Sequence, residues 1–307
     1  MTELHPEEFV IPGPIHPSLR LKALGAQARK RFGQNFLASE GVIAGIVRAA
    51  ELKPGQRVLE IGPGLGAMTR ALLEAGVELT VVELDRDMAG HLRDWLGGCP
   101  RLRIIEGDAL RQDWAALFDA PADGLPDDEK IVVVANLPYN VGTTILTELL
   151  ARPELFSRLV LMLQREVADR VVAAQGDRDR GSLSMYCEAR ASRRIALKVP
   201  PGAFVPPPKV HSAVLDLRLF PVAKLDGLPA EQVEAVLRAA FASPRKTLRR
   251  GLADHYGVER TDAALAASAV DGGLRPSELS LRQATGLAAA LGLPDAPVGR
   301  GPAVPVR

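Results

Sequence analysis

The sequence predicts an α/β protein with a doubly wound, largely parallel Rossmann-like sheet, followed by a small C-terminal all-helical domain. Two observations carry this prediction. Between residues 57 and 163, short β-rich runs alternate with longer amphipathic stretches, which is the pattern of βα units. After Pro221 the composition shifts to Ala, Leu and Arg, and no strand-like run follows. A chain of 307 residues has room for two such domains.

The individual elements follow from the spacing of apolar residues. Five short runs rich in Val, Ile and Leu are predicted to be strands: 57–61, 79–84, 102–106, 131–135 and 159–163. Helices are predicted before the first run and between the runs: 40–51, 67–75, 85–96, 114–118 and 143–150. The runs 182–189 and 213–219 are predicted to be antiparallel strands, because no long helical crossover precedes them. Later in the chain, 231–241 and 281–291 show helical spacing.

We predict four segments along the chain. Residues 1–28 form an N-terminal extension in which four prolines favour flexibility, and the Pro/Gly-rich residues 295–307 form a flexible tail. The sheet domain is predicted over 29–220 and the helical domain over 221–294. We find no internal repeat in the sequence.

Composition argues against several classes of protein. Hydrophobic residues make up 47% of the chain and charged residues 24%, which disfavours intrinsic disorder. The two cysteines, Cys99 and Cys187, stand far apart with no Cys/His cluster beside them, so the sequence predicts neither a disulfide framework nor a metal site. No run of 18 apolar residues and no apolar leader is present. We therefore expect a cytoplasmic protein without a membrane partner.

The distribution of charge is uneven although the net charge is only +1. Three windows, 9–39, 189–215 and 235–253, contain fifteen basic residues and no acidic one. If these windows converge in space they would form basic surfaces for a nucleic acid. The alternative is that they are ordinary solvated helix faces.

A glycine cluster follows the first predicted strand and precedes a helix. Gly62 and Gly64 would let the backbone approach a ligand closely. Glu83, at the end of the second predicted strand, is placed to bind two ribose hydroxyls. Asp108, just past the third, could accept a hydrogen bond from an adenine amino group or cap a helix. NAD and S-adenosylmethionine sites share these features, and a plain strand-to-helix turn beside a surface carboxylate is the simplest alternative.

The motif Asn136-Leu137-Pro138-Tyr139 ends the fourth predicted strand and favours an amino-group methyltransferase. An adenine N6 nitrogen is a poor nucleophile, because its lone pair is delocalised into the ring. The Asn136 side-chain oxygen and the Leu137 main-chain oxygen could accept its two hydrogens and turn the lone pair toward a methyl sulfonium. Pro138 stiffens the turn, and Tyr139 offers a ring on which an extruded base can stack. The alternatives are a core tyrosine after a Pro-terminated strand, and an NAD-dependent oxidoreductase, for which no hydride-transfer acid or base is evident.

At these residues the sequence resembles the ribosomal RNA adenine N6,N6-dimethyltransferases, most closely the bacterial 16S (KsgA/RsmA) type. The resemblance runs from about residue 29 to 293 and includes Arg-Phe-Gly-Gln-Asn-Phe-Leu at 31–37, Gln-Arg-Glu-Val-Ala at 164–168 and Val-Pro-Pro-Gly-Ala-Phe at 199–204. It implies a Rossmann-like class I methyltransferase sheet and S-adenosylmethionine as cofactor. The cofactor contacts that it implies are Asn35, Leu37, Gly62, Gly64, Glu83, Asp108 and Asn136.

The resemblance also implies substrate contacts. It places Phe204 beside the target base as the opposite stacking face, whereas the alternative is a core phenylalanine in a Pro-rich loop. It implies RNA contacts from two basic segments: Arg29, Lys30 and Arg31, and Arg245, Lys246, Arg249 and Arg250. Three positions depart from the family pattern: Ser182 and Pro244, where the family usually has Arg, and His211, where it usually has Asp.

We therefore expect an enzyme that dimethylates N6 of two adjacent adenines near the 3′ end of 16S rRNA, acting as a monomer on an immature 30S subunit. The identity of this substrate rests on the resemblance alone. One alternative is the related 23S rRNA dimethylase of the macrolide-resistance type. Another is a non-catalytic nucleic-acid-binding factor built on a methyltransferase fold.

Overall fold

A computed structural model describes residues 9–25 and 34–293 of the chain. The chain divides into two compact units, which we call the sheet unit (residues 1–168 and 194–219) and the helical unit (residues 169–193 and 220–307). The predicted division, with the sheet domain over 29–220, differs from this one in its assignment of a single segment. Residues 169–193 belong to the helical unit, because Met185 and Ala189 pack in its core.

Within residues 9–25 and 34–293, nine strands form two sheets. A short antiparallel pair joins β1 (Phe36–Leu37) to β8 (Phe204–Val205). The large sheet contains β2 (Arg57–Ile61), β3 (Glu78–Glu83), β4 (Leu102–Glu106), β5 (Ile131–Asn136), β6 (Phe156–Gln164), β7 (Ala191–Val199) and β9 (Ser212–Leu219). Its spatial order is β4-β3-β2-β5-β6-β9-β7. The neighbours from β4 to β6 pair in parallel and β9 pairs antiparallel to β6, which confirms the predicted sheet.

The helices of the sheet unit pack around this sheet: α1 (Pro17–Ala23), α2 (Glu40–Ala50), α3 (Ala67–Glu74), α4 (Arg86–Leu96), α5 (Trp114–Leu117), α6 (Gly142–Leu150) and the first residues of α7 (Arg165–Val172). Local capping fixes where they begin. Ser39 Oγ accepts from Val42 N at 3.4 Å ahead of α2, and Asp85 Oδ1 accepts from Asp87 N at 3.1 Å ahead of α4. The core forms where the apolar faces of α2, α3 and α4 meet the sheet.

The helical unit contains α8 (Ser182–Arg190), α9 (Ala230–Phe241), α10 (Leu248–Tyr256), α11 (Val258–Ala267) and α12 (Leu281–Leu291), around one apolar core. The prediction of a strand over 182–189 is wrong, because this segment is α8. Seven of the nine residues of α8 are buried, so the helix has no polar face to produce a 3.6-residue period. No helix in the two described ranges is long and apolar enough to cross a membrane.

Part of the N-terminal extension that was predicted to be flexible, residues 9–25, contacts the sheet unit. Phe9 and Ile11 pack against the core of the sheet unit, and α1 carries Arg20, which is only 4% exposed. The prolines that suggested a loose segment do not prevent this packing, since Pro17 occupies the first turn of α1, where proline is tolerated.

Candidate active site

A cavity of about 370 Å³ lies at the carboxyl ends of the parallel strands. Ile61 of β2, Glu83 of β3, Gly107 after β4 and Asn136 of β5 line it, as expected for a ligand site in a doubly wound sheet. All seven residues that the resemblance assigned to the cofactor line this cavity: Asn35, Leu37, Gly62, Gly64, Glu83, Asp108 and Asn136. The residues Leu137, Pro138 and Tyr139 line it as well.

The glycine loop forms one wall and requires glycine for steric reasons. Gly64 has φ +54°, and a Cβ there would lie 3.0 Å from the Phe36 ring. Gly66 has φ +79°, and a Cβ there would lie 2.6 Å from Leu92 Cδ2. The loop therefore packs tightly on its outer side and leaves its inner side to the cavity.

Glu83 fixes this loop from the inside. Its Oε2 accepts from Gly64 N at 2.9 Å, and its Oε1 accepts from Asp85 N at 2.8 Å. Burial raises the pKa of the Glu83 carboxyl, while these two N–H groups act in the opposite direction. A carboxylate offers about four lone-pair sites, so Glu83 can accept two further hydrogen bonds from a ligand.

Glu60, which the sequence reasoning did not single out, lies at the back of the cavity. It is 0% exposed, its Oε2 accepts from Thr69 Oγ1 at 2.7 Å, and its Oε1 has no hydrogen-bond partner in the described structure. Burial raises the pKa of Glu60 to about 8, and the nearby charge of Glu83 adds to this effect. The signal that could have found it is an acidic residue inside an otherwise apolar strand just before a glycine loop.

Asp108 takes the capping role that was one of its two predicted roles. Its Oδ1 accepts from Leu110 N at 2.9 Å and begins a 3₁₀ turn over Ala109–Arg111. Two apolar side chains that the sequence did not identify flank it in the cavity wall: Leu84 is 53% exposed and Leu110 is 39% exposed. Exposed leucines in the wall of a cavity give it an apolar surface that a ligand can cover.

Asn136 and Tyr139 are both held by side chains or backbone from other elements. Asn136 Nδ2 donates to the main-chain oxygen of Asn35 at 3.2 Å, which leaves the amide oxygen as an acceptor. The hydroxyls of Tyr139 and Ser212 lie 2.7 Å apart. Burial raises the pKa of Tyr139, so its phenol stays neutral at physiological pH.

Phe204 does not share the cavity. It is 2% exposed, pairs with Leu37 across β1 and β8, and packs in the core of the sheet unit. This is the core position that was the alternative to a stacking role. Because the ring is buried, it presents no accessible face to a base in this structure. Burial of such a large apolar side chain stabilises the core.

The basic residues predicted to bind RNA are placed in part. Arg29, Lys30 and Arg31 lie outside the described residues. Arg245, Lys246, Arg249 and Arg250 are all exposed in the helical unit. Lys246 already pairs with Asp254 at 2.7 Å, and Arg249 pairs with Asp262 at 2.5 Å. Within the described chain, Arg245 and Arg250 form no salt bridge. The pKa of Asp254 is lowered mainly by Lys246 and to a smaller extent by the charge of Arg250.

Three of the five basic residues in the window 189–215 are neutralised by nearby carboxylates. Arg190 pairs with Glu234 at 2.8 Å, and Arg194 pairs with Asp216 at 2.7 Å. Arg193 pairs with Glu188 at 2.9 Å. This window is therefore mostly structural. Among the side chains that the structure describes, no three His, Cys, Asp or Glu converge as metal ligands.

Comparison with known families decides the class of the chain. A family profile described as ribosomal RNA adenine dimethylase matches residues 25–285. The chain belongs to the ribosomal RNA adenine dimethylase family. The ribosomal RNA small subunit methyltransferase A of Synechococcus elongatus is 44% identical over 273 residues, which is 87% of this chain and 96% of the relative. The enzyme of the same name from Pseudomonas aeruginosa is 42% identical over 255 residues, 83% of this chain and 91% of that one.

Two solved structures resemble the dimethylase chain. The 23S rRNA methyltransferase ErmE is 28% identical, with a TM-score of 0.62 over 84% of this chain and 99% of its own. A dimethyladenosine transferase from Plasmodium falciparum has a TM-score of 0.65 at 22% identity, covering 82% of this chain and 95% of its own, and it supports the fold. The profile match begins at residue 25, after the end of α1.

Proposed function

We propose that this chain is an S-adenosylmethionine-dependent dimethyltransferase that acts on N6 of adenine in small-subunit ribosomal RNA. One observation carries the proposal: Asn136, Leu137, Pro138 and Tyr139 form a wall of the same cavity as the glycine loop, Glu83 and Asp108. Two oxygen acceptors for the hydrogens of an amino group thus lie beside residues suited to bind a nucleoside. The relatives named as small subunit methyltransferases support the choice of substrate.

The polar and apolar residues that line the cavity match the polar and apolar parts of S-adenosylmethionine. Glu60 presents a buried oxygen without a partner, which suits the ammonium group of the methionine moiety. Glu83 has acceptor capacity for the two ribose hydroxyls, and the exposed side chains of Leu84 and Leu110 offer apolar surfaces for the adenine ring. Asp108 lies between them in sequence, and its carboxylate can accept from the adenine amino group.

The residues at the end of β5 would act on the target base. When bound, S-adenosylmethionine supplies an electrophilic methyl group on its sulfonium. The Asn136 amide oxygen, oriented by the bond from Nδ2 to Asn35, and the Leu137 carbonyl oxygen accept the two N6 hydrogens. This localises the nitrogen lone pair without a strong base. Tyr139, held by Ser212, provides the ring on which the extruded base stacks.

We infer that binding of the RNA depends on exposed cations of the helical unit. Arg245 and Arg250 are exposed and form no salt bridge in the described chain, so their guanidinium groups can contact phosphates. By extension, the substrate is a pair of adjacent adenines near the 3′ end of 16S rRNA in an immature 30S subunit. The enzyme acts as a monomer in the cytoplasm.

The test combines the purified protein, radiolabelled S-adenosylmethionine and 30S subunits from a strain that lacks this dimethylase, followed by nucleoside analysis. We expect label in N6,N6-dimethyladenosine of 16S rRNA, and loss of the label with Asn136→Ala. Transfer to 23S rRNA instead would indicate an enzyme of the 23S type. No transfer to either RNA would overturn the proposal and favour a non-catalytic binding factor.

A further inference from the structure

Helix α1 contacts the wall of the cavity from outside. Its Leu21 packs against a small cluster made of Phe36, Leu65 and Met88. Phe36 and Leu65 both line the cavity on their other side. A shift of α1 would therefore displace two residues that line the candidate cofactor site.

Arg20 makes the strongest contact between α1 and the glycine loop. Its Nη1 donates to the main-chain oxygen of Leu65 at 3.0 Å and to His91 Nε2 at 2.9 Å. Its guanidinium lies 3.2 Å from the centre of the Trp95 ring. Arg20 is 4% exposed, and no carboxylate in the described chain pairs with it. A buried cation is costly unless it is partnered, so these three groups hold it in one place.

The charge of Arg20 persists although burial lowers its pKa to about 10. The guanidinium is therefore a cation at every physiological pH, and its bond to the Leu65 carbonyl is charge-assisted. His91, whose pKa is lowered by burial and by the charge of Arg20, remains neutral and can accept through Nε2.

The glycine loop is thus held from both sides at consecutive residues. Glu83 binds Gly64 N on the side of the cavity, and Arg20 binds the Leu65 carbonyl on the outer side. Fixing both sides limits rotation of the peptide groups that face the ligand. Such restriction before binding favours affinity, because less conformational entropy is lost when the ligand arrives.

We propose that Arg20 is a positioning residue for S-adenosylmethionine, which sets the geometry of the glycine loop through the Leu65 carbonyl. The inference rests on the proposed function, because it presupposes that the cavity binds this cofactor. It concerns an element that precedes the profile match at residue 25. Arg20 touches the loop and does not line the cavity, so it acts through Leu65.

The experiment compares Arg20→Gln, Arg20→Lys and a matched control, Lys22→Gln, in the full chain. Lys22 is exposed on the same helix, so the control removes one positive charge without touching the loop. Isothermal titration gives the Kd for S-adenosylmethionine, and steady-state kinetics with 30S subunits give KM for the cofactor and kcat. We expect Arg20→Gln to raise the Kd and the KM about tenfold while kcat stays within about twofold. Arg20→Lys, which can still donate to Leu65, should recover most of the loss, and Lys22→Gln should behave as wild type.

Several outcomes would overturn the inference. If folded Arg20→Gln binds the cofactor as tightly as wild type, Arg20 does not position the loop. If it lowers the melting temperature and kcat but leaves the cofactor KM unchanged, its role is structural. If Arg20→Gln does not fold, Arg20→Met takes its place, because it keeps an apolar side chain of similar length but cannot donate to the Leu65 carbonyl. A Kd of folded Arg20→Met equal to that of Lys22→Gln would refute the role. Failure of wild type itself to bind S-adenosylmethionine would instead refute the proposed function.

Discussion

The hydroxyl of Tyr139 lies 2.7 Å from the hydroxyl of Ser212, which joins the loop after β5 to the first residue of β9. Ser212 is 1% exposed and lies opposite Gln164 in the antiparallel pair of β6 and β9. The candidate stacking residue is thus anchored to a rigid strand rather than to its own loop. A ring held in this way keeps its position in the wall of the cavity.

We predict that this hydroxyl pair acts as a unit. Tyr139→Phe and Ser212→Ala should each lower kcat/KM for 30S subunits by about three- to tenfold, since each removes the same hydrogen bond. The double variant should be no worse than either single one. Tyr139→Ala, which also removes the ring, should cost a further factor of about ten or more. Additive losses in the double variant would show that the two hydroxyls act independently.

Asn136→Ala removes one of the two proposed acceptors for the N6 hydrogens. We expect turnover to fall by about 10²- to 10³-fold, the effect of losing one transition-state hydrogen bond of about 3–4 kcal/mol. The Kd for S-adenosylmethionine should change by no more than about fivefold, because Glu60, Glu83 and Asp108 remain in place. Single-turnover kinetics together with isothermal titration separate the two effects. Unchanged turnover would remove Asn136 from the reaction.

Two glycines separate backbone strain from steric overlap. Gly55 and Gly66 have φ of +76° and +79°, but a Cβ at Gly55 meets no atom within 4 Å, whereas one at Gly66 lies 2.6 Å from Leu92 Cδ2. Gly55→Ala should lower the free energy of unfolding by about 1–2 kcal/mol, the cost of the left-handed backbone. Gly66→Ala should cost clearly more and also weaken cofactor binding. Urea unfolding and titration of both variants test this, and equal stability losses would contradict it.

Glu60 should make stability depend on pH. Its pKa is raised from 4.5 to about 8 in the folded chain, so between these values the native state keeps a proton that the unfolded chain has released. The stabilisation is fully present below pH 4.5 and is lost as pH rises toward 8. Relative to Glu60→Gln, the wild-type free energy of unfolding should therefore fall with pH, by up to about 1.4 kcal/mol per unit. Parallel curves from pH 5 to 8 in urea unfolding would contradict this.

Ion pairing divides the basic residues of the helical unit into two groups. Arg245 and Arg250 form no salt bridge in the described chain, whereas Lys246 and Arg249 already pair with Asp254 and Asp262. Replacing Arg245 and Arg250 by Gln should reduce the salt dependence of RNA affinity by about 0.7–0.9 per lost phosphate contact. The matched double variant of Lys246 and Arg249 should change the slope less. The measurement is RNA affinity at several salt concentrations for wild type and both double variants. Equal slopes in all three proteins would show that these basic residues form an ordinary solvated face and do not bind RNA.

The sequence was sufficient for the parallel part of the sheet and for the place of the site. Ile61, Glu83 and Asn136 end strands that run in one direction, so their side chains meet at one edge whatever the details of packing. A binding motif at the end of one of these strands therefore predicts that residues at the ends of the adjacent strands line the same site. The same reasoning placed Asp108 in the cavity wall, where it also caps the following turn.

The remaining features depend on packing that local sequence does not report. Segment 182–190 is helical but buried almost all round, so it lacks the periodic polar face that identifies a surface helix. Phe204 follows a proline-rich stretch, and only the pairing of β8 with β1 places it in the core. Arg20 contacts Leu65 and His91, which lie 45 and 71 positions further along the chain. No pattern in the sequence near residue 20 predicts these partners.

The contact between α1 and the glycine loop also has a consequence for the growing chain. During synthesis α1 emerges before α3 and α4, yet a helix of seven residues is too short to be stable by itself. Leu65 and His91 leave the ribosome later, so α1 can dock only once α4 has been made. In the nascent protein the glycine loop therefore gains its contact with Arg20 only after α4 has been synthesised, although Arg20 itself is made earlier than the loop.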